Sequence, residues 1–235
     1  MTKVAGSGAD DDQGWADRLA WAYGLVAAEP VERSAALVRL ASARVEVRSA
    51  RARFNEAWHL TSALGHEAQY REPVFVAARG AYDEAASHCL PEALWNTPIS
   101  GGISRWPGLP FALLFLEWEA RYPQEWTQHA KAWGTKQRLI RELAAGDPGE
   151  VGRAKLVDLV DLVVQRAYRC KDREYVRVAR AVDGDDLRGR LDTAHRSDNP
   201  WARLHASYVL WLLDRPQIPN TGYVWRAWLA DSRSR

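Results

Sequence analysis

Cysteine, methionine and lysine are scarce in this chain of 235 residues, with two, one and five copies. Cys89 and Cys170 lie far apart and in no metal-ligand spacing, which excludes a disulfide scaffold and a zinc ribbon. They point to a reducing compartment and to two ordinary buried thiols, with the protein expected in the cytoplasm. No run approaches the ~18 apolar residues of a membrane-spanning helix. Phe111–Leu116 is the greasiest stretch, and Glu117 ends it. A basic start followed by an apolar run is missing too, so no secretory signal is expected and no membrane is assigned as a partner. Sustained alternation of polar and apolar residues is absent, which argues against strands. There is no Gly-x-Ser-x-Gly elbow and no Cys/His pair with catalytic spacing. Gly101-Gly102 is not followed by Lys-Ser/Thr, so no phosphate loop is present.

What is abundant is tryptophan, at twelve copies, and arginine, which supplies 27 of the 32 basic residues. The arginine preference over lysine fits genome composition as well as function. The net charge of +2 excludes a polycation. Twelve indoles fit gap-filling between helices rich in Ala and Leu, and alternatively a ligand groove.

The periodicity predicts an all-α fold of antiparallel helix pairs, roughly nine to eleven helices. Residues 1–14 read as a disordered leader of Gly, Ser, Ala and three consecutive Asp. An N-terminal helical layer comes next, over 15–94. Trp15–Ala28 is its first helix, with Glu29-Pro30 as the stop. Val31 to about Leu64 is a long helix with a seam at Leu37, Leu40, Val47, Phe54 and Trp58, and room for a hidden break. Pro73–Leu90 is a third. Residues 95–109 form an irregular segment rich in Trp, Gly and Pro. A C-terminal helical stack then covers 110–231, in one domain with 15–94 or apart from it. Pro110–Tyr122 and Pro123–Ala145 open on proline. Asp147-Pro148-Gly149-Glu150 has the outline of a capping box. Val151–Val164 is apolar on most faces, as a buried helix is.

Arg177 and Arg203 head similar patterns, with Val178, Ala179 and Val182 matching Leu204, His205 and Tyr208. Asn199-Pro200-Trp201-Ala202-Arg203-Leu204-His205-Ala206-Ser207-Tyr208-Val209-Leu210-Trp211 resembles the first helix of a HEAT-type repeat, and Tyr223–Ala230 the second. The resemblance covers Asp172–Asp231, about a quarter of the chain. It implies stacked helix pairs with an extended surface for partners.

Three groups of residues are candidates for function. Arg166, Arg169, Arg173, Arg177 and Arg180 are spaced 3, 4, 4 and 3 apart, so one continuous helix would line them up as a basic stripe. Residues 151–235 hold 16 basic against 11 acidic residues, a local excess of +5, whereas 81–150 hold 6 against 9. A stripe flanked by Tyr168, Tyr175 and Trp201 suits a phosphate backbone or an acidic protein, and a solvated face equally. A helix break at Lys171-Asp172 would split it. The second group is Trp95, Arg105 and Trp106, flanking residues of a long internal loop of the kind that faces ligands or joins domains. The third comprises single groups. Glu56 and His59 have the spacing of half a di-metal site, but the other half is missing, so no metal and no cofactor are assigned. Asp158 and Asp161 share one wet edge of a buried helix or pair with arginine. His205 reads as a core histidine.

The leading expectation is a non-enzymatic binding or adaptor protein acting through a protein partner. A nucleic-acid-binding protein using the arginine stripe is the alternative. One variant is a base-excising enzyme similar to the HEAT-like alkylpurine DNA glycosylases, whose catalytic residues no motif here carries. A third expectation is a small-molecule binder or enzyme whose pocket contains Trp95 or Trp106. The oligomeric state is left open by the sequence.

Overall fold

A computed structural model describes residues 8–95, 103–147 and 149–233. Among them are twelve α-helices and no strand, so the chain is all-α. They are α1 (Gly8–Leu19), α2 (Pro30–Thr61), α3 (His66–Gln69), α4 (Pro73–Ser87), α5 (Leu109–Arg121), α6 (Pro123–His129), α7 (Trp133–Ala145), α8 (Gly149–Val164), α9 (Tyr175–Ala181), α10 (Asp185–His195), α11 (Pro200–Leu213) and α12 (Gly222–Arg233). None of the described helices is long and apolar enough to cross a membrane. Helix α1 begins at Gly8, inside the stretch expected to be a leader. It gives way to a 3-10 segment, Ala20–Val26, rather than continuing as α-helix.

The helices fall into two compact units, and the division differs from the expected one. Residues 110–131 belong with the N-terminal helices, and 103–109 belong with Ala132 onward. The chemistry of the first unit explains this. Phe111 on α5 stacks on Trp15 at 6.0 Å and meets Tyr23 at 5.6 Å. Tyr122 donates its hydroxyl proton to the Ala27 carbonyl at 3.1 Å. Arg33 lies 4.1 Å over the Tyr122 ring and pairs with Glu125 at 3.2 Å. The stretch expected as one helix, Pro123–Ala145, is broken at Lys131, whose φ of 49° is left-handed.

Within the first unit, α2 is unbroken over 32 residues. Its inner face is Ala36, Leu40, Ala43, Val47, Ala50, Phe54, Ala57 and Thr61, alternating by four and three. All except the half-buried Phe54 are buried. Small residues at every other step let α4 and the 3-10 segment approach closely. Gly24 shows how closely: a Cβ there would lie 2.9 Å from the Ala36 Cβ. The expected seam caught Leu40, Val47 and Phe54. It missed the alanines and included Trp58, which remains exposed.

In the second unit, α7 packs on α9 and α9 on α11, while α8 packs on α10. Adjacent contacts α8–α9 and α10–α11 close the space between these rows. Leu139, Ile140, Leu143, Leu156, Leu159, Val178, Leu187, Leu191 and Leu212 are wholly or almost wholly buried and form its core. The Asp147 carboxylate accepts the Gly149 N–H at 3.0 Å, starting α8. The Asn199 side chain accepts the Trp201 N–H at 3.1 Å, starting α11, and its amide donates to the Gln165 carbonyl at 2.6 Å. Cap chemistry legible in the sequence thus also fixes the end of α8 against the start of α11.

Candidate functional site

The second unit holds a half-open cavity of about 350 Å³ between α8, α9, α11 and α12. Val160, Val163 and Val164 on α8, Val176 on α9 and Leu204 and Val209 on α11 supply aliphatic walls. Tyr168, Tyr175, Trp201, Tyr208 and Trp225 supply aromatic ones, and Asp172, Arg173 and His205 are its charged or titratable members. Its walls are mostly apolar, with few polar groups among them.

The aromatic wall follows from spacing on two helices. Trp201, His205 and Tyr208 sit at four and three on α11, and Trp225 and Trp228 at three on α12. The His205 ring stacks near Trp201 at 5.9 Å and tilts against Trp225 at 6.2 Å. Tyr208 meets the Trp225 edge at 4.7 Å and Trp228 at 5.0 Å. Its hydroxyl donates to the Asn220 carbonyl oxygen at 3.0 Å, and the Asn220 amide donates to the Arg173 main chain at 2.7 Å. The ring cluster is therefore tied to the segment that brings Arg173 to the cavity. Gly222 admits the Arg173 guanidinium, since a Cβ at that position would lie 2.8 Å from Nη1.

Burial lowers the His205 pKa, as desolvation disfavours the imidazolium. Burial raises that of Tyr208, although Arg173 and Arg180 oppose it. Both rings are thus neutral near pH 7, and Arg173 brings the cation to the cavity rim. Its guanidinium makes no ion pair among the described residues. Asp172 is fully engaged: it accepts the Lys136 ammonium at 2.6 Å, the Arg166 guanidinium at 2.9 Å and the Arg169 N–H at 2.7 Å. Lys136 is wholly buried.

The five arginines do not form one stripe. Helix α8 ends at Val164 and α9 begins at Tyr175, with Lys171 between them at a left-handed φ of 71°. Arg166 is held by Asp172, and Arg169 lies 5.5 Å over the Trp133 ring. Arg177 pairs with Glu174 at 3.0 Å. Arg180 donates to the carbonyls of Leu212, Arg215 and Ile218, the last at 2.7 Å, and so holds the turn between α11 and α12. Of the five, only Arg173 lines the cavity.

Trp95, Arg105 and Trp106 line no part of it either. Trp95 is partly exposed in the first unit, whereas Trp106 is buried in the second and Arg105 is exposed there. The middle of their loop, 96–102, lies outside the described residues. Asp158 pairs with Arg190 at 2.7 Å, and Asp161 accepts from Gln165. Glu174 accepts from Arg141, Gln137 and Arg177, which together hold its carboxyl down at about 2. Cys89 is buried, and burial raises its pKa, whereas Cys170 is exposed, against the expectation of two buried thiols. Among the described residues no three His, Cys, Asp or Glu converge as a metal site would require.

The sequence did not point to this cavity, and its expected pocket lay instead at Trp95 or Trp106, because the walls of the cavity come from four helices. The only signal for it in the sequence was the aromatic spacing on α11 and α12, which reads equally as core. Fold and cavity together define the class: an all-α chain whose C-terminal unit encloses an aromatic-walled pocket with one arginine at its rim. No protein-family model, no curated protein and no solved structure matches the chain.

Proposed function

We propose that the C-terminal unit binds a small amphipathic molecule with an aromatic or apolar body and a single anionic group. The observation that carries this reading is the cavity of about 350 Å³ walled by Trp201, Tyr208, Trp225 and aliphatic side chains, with Arg173 at the rim. The body would lie among the rings, and the anion would meet the guanidinium. Neutral His205 adds a polar ring to the wall without the cost of a buried charge.

Anilinonaphthalene sulfonate, an aromatic anion, is a suitable probe. Its fluorescence should rise on binding the full chain. Leu204→Trp, which fills the cavity, should abolish the rise. Arg173→Gln should weaken binding of this anion about tenfold and leave an uncharged naphthalene analogue unaffected. Equal binding by the wild type and Leu204→Trp would dismiss the cavity as the site.

The second reading is the adaptor with a protein partner. Two observations support it. Helices α8 with α9 and α10 with α11 form neighbouring pairs that stack on one another, a layered arrangement suited to an extended partner surface, although α11 pairs with α10 and not with α12 as the resemblance over residues 172–231 implies. In the first unit, partly exposed Trp58 and Tyr70 flank Phe75 at 5.8 and 5.1 Å, an aromatic surface suited to a protein contact. Cross-linking in cells beside a Trp58→Ser variant tests it, and full retention of cross-linked partners by that variant would remove this surface. A nucleic-acid reading has less support, because Arg166, Arg177 and Arg180 are committed to contacts within the chain.

A further inference from the structure

The outer face of α2 carries a second regular stripe that no described element covers. Val31, Ala35, Val38, Ser42, Val45, Ser49 and Ala52 repeat by four and three, and all seven are exposed. Val31, Val38 and Val45 are 82%, 66% and 56% exposed. The stripe lies well away from the buried Ala36–Thr61 face around the helix. At ~1.5 Å per residue it runs for about 32 Å. A pattern repeating every seven residues, with small side chains throughout, is the seam of a closely packed helix pair.

The charges beside the seam determine what can lie on it. One flank reads Glu32, Arg39, Glu46 and Arg53, each seven residues from the next and alternating in sign. All four are exposed, and none makes an ion pair among the described residues. Arg53 donates only to Ser49 on its own helix. The other flank reads Ser34, Ala41, Arg48 and Asn55.

We infer that α2 is the interface between two copies of this chain, paired antiparallel about a two-fold axis between residues 43 and 44. In that register Ser42 faces Val45 of the second copy, Val38 faces Ser49, and Ala35 faces Ala52. Each layer joins two small residues, or a valine with a serine, so the helices approach closely. Along the flank, Glu32 meets Arg53 of the second copy and Arg39 meets Glu46. The two-fold axis repeats both, giving four opposite-charge pairs. Sliding one copy by a heptad sets Glu32 against Glu46 and Arg39 against Arg39. A parallel pairing sets Arg48 against Arg53 and creates no opposite-charge pair. The sign pattern therefore selects one partner, one direction and one register.

Sedimentation equilibrium of the full chain, at concentrations from about 1 to 500 μM, tests the proposal. The expected mass rises from 26.5 kDa towards twice that value. Arg39→Glu should weaken the dimer at least tenfold at low salt, and the swap Arg39→Glu with Glu46→Arg should restore it to within about threefold. Val45→Glu should leave a folded monomer, since the residue is exposed and helicity by circular dichroism reports the fold. A monomer at every concentration would overturn the inference. So would a dimer indifferent to Val45→Glu, or an Arg39→Glu defect that the swap does not repair.

Discussion

Replacing Asp172 with Asn perturbs a buried carboxylate that joins several polar groups of the second unit. The carboxylate is 7% exposed and faces two cations, the wholly buried Lys136 and the largely buried Arg166. The amide keeps the shape but removes the negative charge, and it turns one acceptor into a donor that faces donors. Removing one partner of a buried ion pair costs about 3–5 kcal/mol, because the remaining charge stays desolvated. For a chain of this size that corresponds to a fall in Tm of roughly 6–20 °C. Lys136→Met removes a charge at the same place, but Arg166 and the Arg169 N–H still satisfy the carboxylate. It should cost about half as much. Urea unfolding followed by far-ultraviolet circular dichroism measures both. An Asp172→Asn protein within about 1 kcal/mol of the wild type would refute the reasoning. So would a Lys136→Met variant that is the less stable of the two, since the carboxylate would then not be the hub.

Other consequences are equally open to measurement. Glu174 has its carboxyl lowered from the usual 4.5 to about 2 by Arg141, Gln137 and Arg177. A depressed folded pKa contributes stability above the unfolded value, and that contribution is lost as pH falls from about 4.5 towards 2. With Arg141 half exposed it amounts to about 1–2 kcal/mol, and a Glu174→Gln variant should show a flatter acid limb. For His205 the folded pKa is lowered, so its contribution is present above about 6.5 and lost as pH falls further. His205→Gln should flatten stability against pH in that range, and an unchanged slope would contradict burial as the cause. Gly24→Ala should destabilise the first unit by about 1–3 kcal/mol in urea unfolding, because its Cβ would meet the Ala36 Cβ at 2.9 Å. Thiol titration with a disulfide reagent should find Cys170 reacting at once and Cys89 only on unfolding, and equal rates would contradict the assigned burial.

The sequence by itself determined the helices and many of their ends. Proline at the first turn of α4, α6 and α11, the Asn199 cap and the Asp147 carboxylate at the start of α8 are local devices, read within a few residues and realised as such, whereas Pro30, read as a stop, opens α2. For Asp158 the sequence left a wet edge or an arginine partner open, and the fold supplies Arg190. Tertiary structure decided the rest. The sequence grouped 110–131 with the helices C-terminal to them, whereas Tyr122 and Glu125 bond to Ala27 and Arg33, about ninety positions earlier. The alanines of α2 became core because α4 and the 3-10 segment lie against them, and a small side chain has no intrinsic preference for inside or outside. The arginine stripe required an unbroken helix, but α8 ends at Val164 and α9 begins at Tyr175, and the chain between them, with Lys171 left-handed, brings Asp172 to Lys136. The cavity was least legible of all, because an empty space bounded by four helices depends on how those helices pack. Each wall residue taken alone satisfies the same rule as any residue of the core.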